Sequence, residues 1–230
     1  MVLFSASTCF AQNDIPSSIR SSEAIDHAMP TLVEELTDKN LEFGDSIFIR
    51  IFKEEMVLEV WLRSGNNYEL FKTYPICTYG SGGLGPKIRE GDGKAPEGFY
   101  FVTPSRLKPL SDFHLSFNLG YPNSYDRYHG RTGSALMVHG SCVSIGCYAM
   151  TDSSIEKIYT LADGALRNGQ HFFRVHIFPF KMSKENMKKH EGSEWHEFWS
   201  NMKEGYDFFE NNRIPPNVEV SDDKYIFENQ

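Results

Sequence analysis

Three strand-like runs follow one another between residues 45 and 76: DSIFIRIF, MVLEVWLR and YELFKTYPI, divided by the polar breaks KEE and SGNN. Their β-branched and aromatic content with short turn-forming gaps predicts a β-meander. Upstream the period is helical. From Ser22 to Asn40, Ile25, Ala28, Leu32, Val33 and Leu36 fall near one face, with Pro30 expected to kink or split the helix. Residues 12–21 read as polar and mobile. Residues 85–98 read as turn-rich loop, FYFVTP as a short strand, 105–133 as irregular, and SALMVHG as a strand. TDSSIEKIYTLADGALRNG then carries an apolar stripe of Ile155, Ile158, Tyr159, Ala162 and Leu166. Ser153 with Glu156 reads as its capping box and Gly169 as its C-terminal cap. HFFRVHIFPF is a further strand. Aromatic residues from Trp195 to Phe209 recur at helical spacing, Pro215-Pro216 ends that helix, and the tail from Asn217 reads as weakly ordered. The order of elements predicts an α+β fold, mostly antiparallel β, with flanking helices and a helical C-terminal extension.

Composition narrows the function classes. The 230 residues suit one domain of ordinary size, and 40% hydrophobic content is enough for a core. A net charge of −8 argues against non-specific nucleic-acid binding, which wants a basic face. No run of 18 apolar residues exists, so no integral membrane segment is expected. The opening MVLFSASTCFAQND resembles the end of a secretory signal, with Ala11 before the cut. Residues 1–11 are therefore expected to be a signal-peptide remnant, and the mature protein to be periplasmic. Removing them leaves Cys77, Cys142 and Cys147. An odd count in an exported chain implies one disulfide and a leftover thiol, or three thiols.

Several motifs fail on context. GSGGLG at 80–85 matches the dinucleotide pattern, but Pro86 and a second turn-rich stretch follow where a helix is required. Ser144 lacks the first glycine of a nucleophile elbow, because Cys142 stands there. His190 and His196 are six apart rather than four, so they form no zincin pair. No metal or organic cofactor is expected.

VHGSCVSIGCYAM, residues 138–150, is different. A thiol is only a few per cent thiolate at neutral pH, and a nearby imidazole or a helix N-terminus raises that fraction. His139 ends a strand and Cys147 follows eight residues later, just ahead of a capped helix. A loop of that length can return thiol to imidazole, with Gly146 giving backbone freedom and N–H groups around Cys147, including that of Tyr148, facing a developing oxyanion. Buried core cysteines fit the same run as well, since ALMV is core strand.

The combination of HG…SIGC with GPKIREGDGKAPEGFYFV upstream resembles the L,D-transpeptidase catalytic domain, or YkuD family, and within it the YafK-like branch. The resemblance spans roughly residues 45–182. It divides the chain into an N-terminal helical segment at 12–44, the catalytic domain at 45–182, and a C-terminal extension at 183–230. It implies a YkuD-type, sandwich- or barrel-like β domain. Cys147 would be the nucleophile and His139 its base, oriented by the carbonyl of Gly140, with Ser144, Gly146 and Tyr148 supporting the loop and oxyanion. The substrate implied is a diaminopimelate-containing peptidoglycan stem peptide, attacked to give a thioester that an amine or water resolves. The YafK-like branch adds a second expectation, an amidase releasing a lipoprotein from peptidoglycan. A non-catalytic cell-wall-binding module is the reading from another class. Two departures stand out. Ala149 lies where most members have arginine or asparagine, so Arg131, Arg127 or Lys87 is the expected substitute for gripping a substrate carboxylate. Cys142 sits within the His-to-Cys loop, where it could bond to Cys77, bond reversibly to Cys147, or remain a thiol. The loop at 80–98 and residues 121–133 are the expected cleft rim.

Overall fold

A computed structural model describes residues 15–229. The expected signal-peptide remnant lies outside them. The first helix, α1 (Ile19–Thr37), starts earlier than its apolar period, because Ser18 caps it: the Ser18 hydroxyl accepts from the Ser21 N–H. Pro30 lies inside without ending the helix. Ala24, Ala28, Leu32 and Leu36 are buried, whereas Val33 is exposed. Burying each leucine contributes about 1.5–3 kcal/mol.

The meander forms as predicted, with β1 (Ile47–Phe52), β2 (Val57–Ser64) and β3 (Asn67–Pro75). With β4 (Gly98–Val102) and β9 (Phe173–Phe178) it builds a five-stranded sheet in the order β3-β2-β1-β9-β4. Only the β1–β9 pairing in this sheet is parallel. A second sheet of four short strands follows the order β5 (Leu107–Lys108), β6 (Ser116–Asn118), β7 (Met137–His139), β8 (Tyr148–Ala149). The fold is α+β and mostly antiparallel, as the sequence indicates.

All six residues of β1 are buried, which explains why it reads as an unbroken apolar run. Ile47, Ile49 and Ile51 face the main core with α1, α3 (Asp152–Arg167) and the second sheet. Phe48 and Phe52 face the opposite side, toward α5 (His196–Asn212). Arg50 on that side is held by Glu59 at 2.8 Å and Glu210 at 2.6 Å.

Three local expectations are corrected. Thr151, not Ser153, caps α3 by accepting from the Ser154 N–H, while Glu156 reaches instead to His114 and His27. Residues 105–133 contain β5, β6 and a short helix, α2 (Ser124–Tyr128), and a further turn of helix, α4 (Lys184–Lys189), precedes α5. The tail is no loose end: β10 (Asn217–Ser221) and β11 (Lys224–Glu228) form a hairpin whose Tyr225 is buried against Phe99, Tyr125 and Phe198. Its strands are polar on their outer face, which hides the period.

Candidate active site

The site lies where the second sheet meets the start of α3. β7 ends at His139, the chain loops through 140–147, and β8 returns in parallel beside β7, with Val138 opposite Tyr148 and His139 opposite Ala149. The return is fastened by the Met150 N–H donating to the His139 carbonyl at 2.7 Å and the Cys142 N–H donating to the Met150 carbonyl at 3.1 Å. His139 and Cys147 thereby open onto one cleft of about 590 Å³.

His139 is buried, and its Nδ1 lies 2.6 Å from the Gly140 carbonyl. A carbonyl can only accept, so Nδ1 carries the proton and Nε2 keeps its lone pair. Phe113 packs on the imidazole at 4.7 Å between ring centroids and holds its plane. Burial keeps the imidazole pKa below its ordinary value of 6.5, outweighing the carbonyl's opposite pull. Gly140 has no room for a side chain: a Cβ would stand 2.5 Å from Asp152 Oδ1 and 3.1 Å from His114. That Asp152 oxygen accepts from the Ser141 N–H at 2.7 Å, tying the loop to the first turn of α3.

Among the described residues Cys147 is the free thiol, half-buried, and its Sγ donates to the Ala135 carbonyl at 3.6 Å. Desolvation pushes its pKa above the ordinary 9.0, against the pull of the Met137 backbone and the charge of Lys87. The resting pair is thus thiol and neutral imidazole. Cys142 is removed from the chemistry by a disulfide to Cys77, which resolves the three alternatives left open by the sequence. Ser144 clamps the turn from within: its hydroxyl donates to the Cys147 carbonyl at 2.7 Å and accepts from the Gly146 N–H at 2.9 Å. The Gly146 amide is therefore spent on Ser144. Gly146 itself has φ of +152° and lies against the Lys94 carbonyl, so a side chain there is strained. Tyr148 is fully buried, with its hydroxyl on the Pro96 carbonyl at 2.6 Å. Its ring supports the loop from behind.

None of the three expected carboxylate grips lines the cleft, although the charge of Lys87 is felt at Cys147. Arg131 is buried in an ion pair with Asp126 at 2.8 Å, between Tyr125 and Phe198. Lys87 is buried on Asp92 at 2.8 Å; burial alone would raise the Asp92 pKa, but hydrogen bonds from Lys87 and three backbone amides hold it at about 2. Arg127 lines a different cavity. The rim also differs from expectation. The wall is the segment from Ser105 through Phe113, with Leu107, Pro109, Leu110 and Phe113, joined by Ala135, Met137, Pro16 and Ser17. The large apolar residues in that proline-punctuated, aperiodic stretch were the available signal. The 80–98 loop instead backs the site, packing its Lys94 carbonyl on Gly146.

A family model described as the L,D-transpeptidase catalytic domain, YkuD, matches residues 46–177. The chain belongs to this family. It is 50% identical to YafK of Escherichia coli strain K12 over 183 residues, covering 80% of this chain and 74% of that protein, with the same figures for YafK of Escherichia coli O157:H7. Among solved structures it is similar to the helical cell shape determining protein Pgp2 of Campylobacter jejuni, at 18% identity and a TM-score of 0.46, covering 82% of this chain and 80% of that one. It is also similar to Bd1075 of Bdellovibrio bacteriovorus, at 21% identity and a TM-score of 0.41, over 72% and 58% of the two chains. Among the described residues of this L,D-transpeptidase-family chain, no helix is long and apolar enough to cross a membrane, and no group of three or more His, Cys, Asp or Glu could hold a metal ion.

Proposed function

We propose that this protein acts on diaminopimelate-containing peptidoglycan stem peptides through a thioester on Cys147. The observation that carries the proposal is one free thiol and one imidazole with Nε2 unprotonated, lining the same cleft while the neighbouring Cys142 is held in a disulfide. Nε2 of His139 accepts the thiol proton as sulfur attacks the peptide carbonyl. The oxyanion falls to the Cys147 N–H, because the Gly146 amide serves Ser144 and the Tyr148 amide lies in the β7–β8 ladder, so the oxyanion role expected of Tyr148 is not proposed. The C–N bond breaks, the departing amine takes the proton from Nε2, and a thioester remains. A second amine, or water, then attacks the thioester carbon and frees the thiol. General-base help of this kind contributes 10²–10⁴-fold, as is typical for a positioned imidazole. The disulfide supports an oxidising compartment such as the periplasm.

The test is mass spectrometry of muropeptides incubated with wild-type protein and with Cys147→Ala. The substrates are tetrapeptide stems and lipoprotein-linked tripeptide stems. Dimers joined between two diaminopimelates, formed by wild type alone, identify amine as the acceptor. Lipoprotein release without dimers identifies water. Identical products from both proteins remove Cys147 as nucleophile and leave a binding module.

A further inference from the structure

A second cavity, of about 450 Å³, lies between the exposed edge of β4 and the C-terminal hairpin. It shares no lining residue with the Cys147 cleft, yet the two have a common wall. Arg106 lines the second cavity, while its neighbours Ser105, Leu107 and Lys108 line the cleft.

Three guanidiniums converge there from separate elements: Arg106 before β5, Arg127 on α2 and Arg174 on β9. Each is spent on neutral acceptors. Arg106 donates to the carbonyls of Phe101 and Leu119, Arg127 to the Pro122 carbonyl and the Ser124 hydroxyl, and Arg174 to the Asn217 side chain at 2.6 Å. Elsewhere the chain pairs Arg50, Arg131, Arg167 and Arg213 with carboxylates, while Arg20 and Arg63 donate to carbonyls at exposed positions. Among the described residues, Arg106, Arg127 and Arg174 have no carboxylate within ion-pair distance. Glu219 and Glu228 also line the cavity, on exposed hairpin positions, so the lining carries three positive charges against two negative in a chain whose net charge is −8. Arg106 stacks on Phe101 at 4.7 Å and Arg174 on Phe172 at 5.1 Å, which fixes the planes of their forks. His176 completes the lining; it is fully buried and its Nδ1 has no hydrogen-bond partner. Fixed, unneutralised guanidinium forks beside apolar walls match planar carboxylates on a short organic chain better than they match a compact point charge.

We infer that this cavity is a second ligand site, holding a carboxylate-bearing peptide through Arg106, Arg127 and Arg174. The choice of an acidic peptide rests on the proposed peptidoglycan reading, since stem peptides carry free carboxylates; the anion site does not. Its role is to grip a stem that is not reacting, which keeps the enzyme on the polymer while the cleft works on another.

The test is calorimetric titration of protein whose Cys147 has been capped with N-ethylmaleimide, which fills the cleft and makes turnover irrelevant. The probes are γ-D-glutamyl-diaminopimelate, its fully amidated form, and inorganic phosphate. The acidic dipeptide should bind the capped protein and the amidated one should not. Arg127→Glu should weaken binding at least tenfold. So should Ser124→Glu, which adds a carboxylate to the wall and removes no arginine. Melting midpoints serve as the folding control. Unchanged affinity in both variants, or loss of binding on capping, would overturn the site. Phosphate binding as tightly as the dipeptide would overturn the peptide assignment. None of these results depends on whether Cys147 is a nucleophile.

Discussion

The protonation state of the resting pair makes the sharpest prediction. A thiol at the ordinary pKa of 9.0 is about 1% ionised at pH 7, and burial moves Cys147 further in the unreactive direction. His139 is shifted the other way, below 6.5, because burial disfavours the imidazolium. Both shifts oppose a preformed thiolate–imidazolium pair. Alkylation by iodoacetamide should therefore climb roughly tenfold per pH unit from pH 6 to pH 9, with no plateau, since only the thiolate reacts. His139→Ala should change that rate by no more than about threefold, while turnover falls by about 10²–10⁴ as the base for the attack is lost. On the acid side, turnover should hold to below pH 6.5, because the base must be neutral and its folded pKa is lowered. This differs from the bare spacing of the two residues, which would favour fast labelling near pH 7. A labelling plateau below pH 8 that disappears in His139→Ala would refute the reasoning and show a standing ion pair.

Other expectations concern the frame. Lys53 is fully buried, with Nζ 2.8 Å from Glu97, 2.9 Å from the Gly85 carbonyl and 3.3 Å from that of Ala95, and Glu97 also accepts from Trp199. Glu97→Ala strands that ammonium and should cost about 3–5 kcal/mol in urea denaturation, whereas Lys53→Met with Glu97→Leu should recover much of the loss. Cys142→Ser opens a disulfide spanning 65 residues of sequence separation, so the loop-entropy relation gives about 4 kcal/mol, read as a fall in melting midpoint. Gly140→Ala drives a methyl onto Asp152 and should lower kcat at least tenfold, with little change in the far-ultraviolet circular dichroism spectrum.

What the sequence conceals has a physical pattern. The meander is legible because β1, β2 and β3 are long enough to show β-branched and aromatic runs between turns. His139 and Cys147 stand out as candidates because glycine punctuation and a following helix start bracket a short apolar strand, and the fold brings both to one cleft. β5, β6 and β8 have two or three residues each, too few for any period to register. The buried Lys53–Glu97 pair goes unseen, since charged residues are rarely buried unless paired and a pairing across 44 positions leaves no local trace. Arg131 and Lys87 mislead for the same reason. Their charge marks them as candidates for a substrate carboxylate, and only the fold reveals that Asp126 and Asp92 already occupy them.

The same logic explains why the cleft wall lies where it does. Ser116 pairs with His139 across the β6–β7 ladder, so the segment preceding β6 must pass over the imidazole as it returns from β5. Its Phe113 then lands on the ring, and the Gly140 N–H reaches back to the carbonyls of Phe113 and Leu115 at 3.1 and 3.2 Å. The short strands that carry no sequence signal are thus the parts that fix the His139 ring. A side chain at 113 that cannot stack should leave Cys147 labelling untouched and reduce turnover. Phe113→Ala tests this, with Phe113→Tyr expected to restore activity. If Phe113→Ala turns over at the wild-type rate, the Gly140 carbonyl alone holds the imidazole, and the wall serves only to shape the cleft.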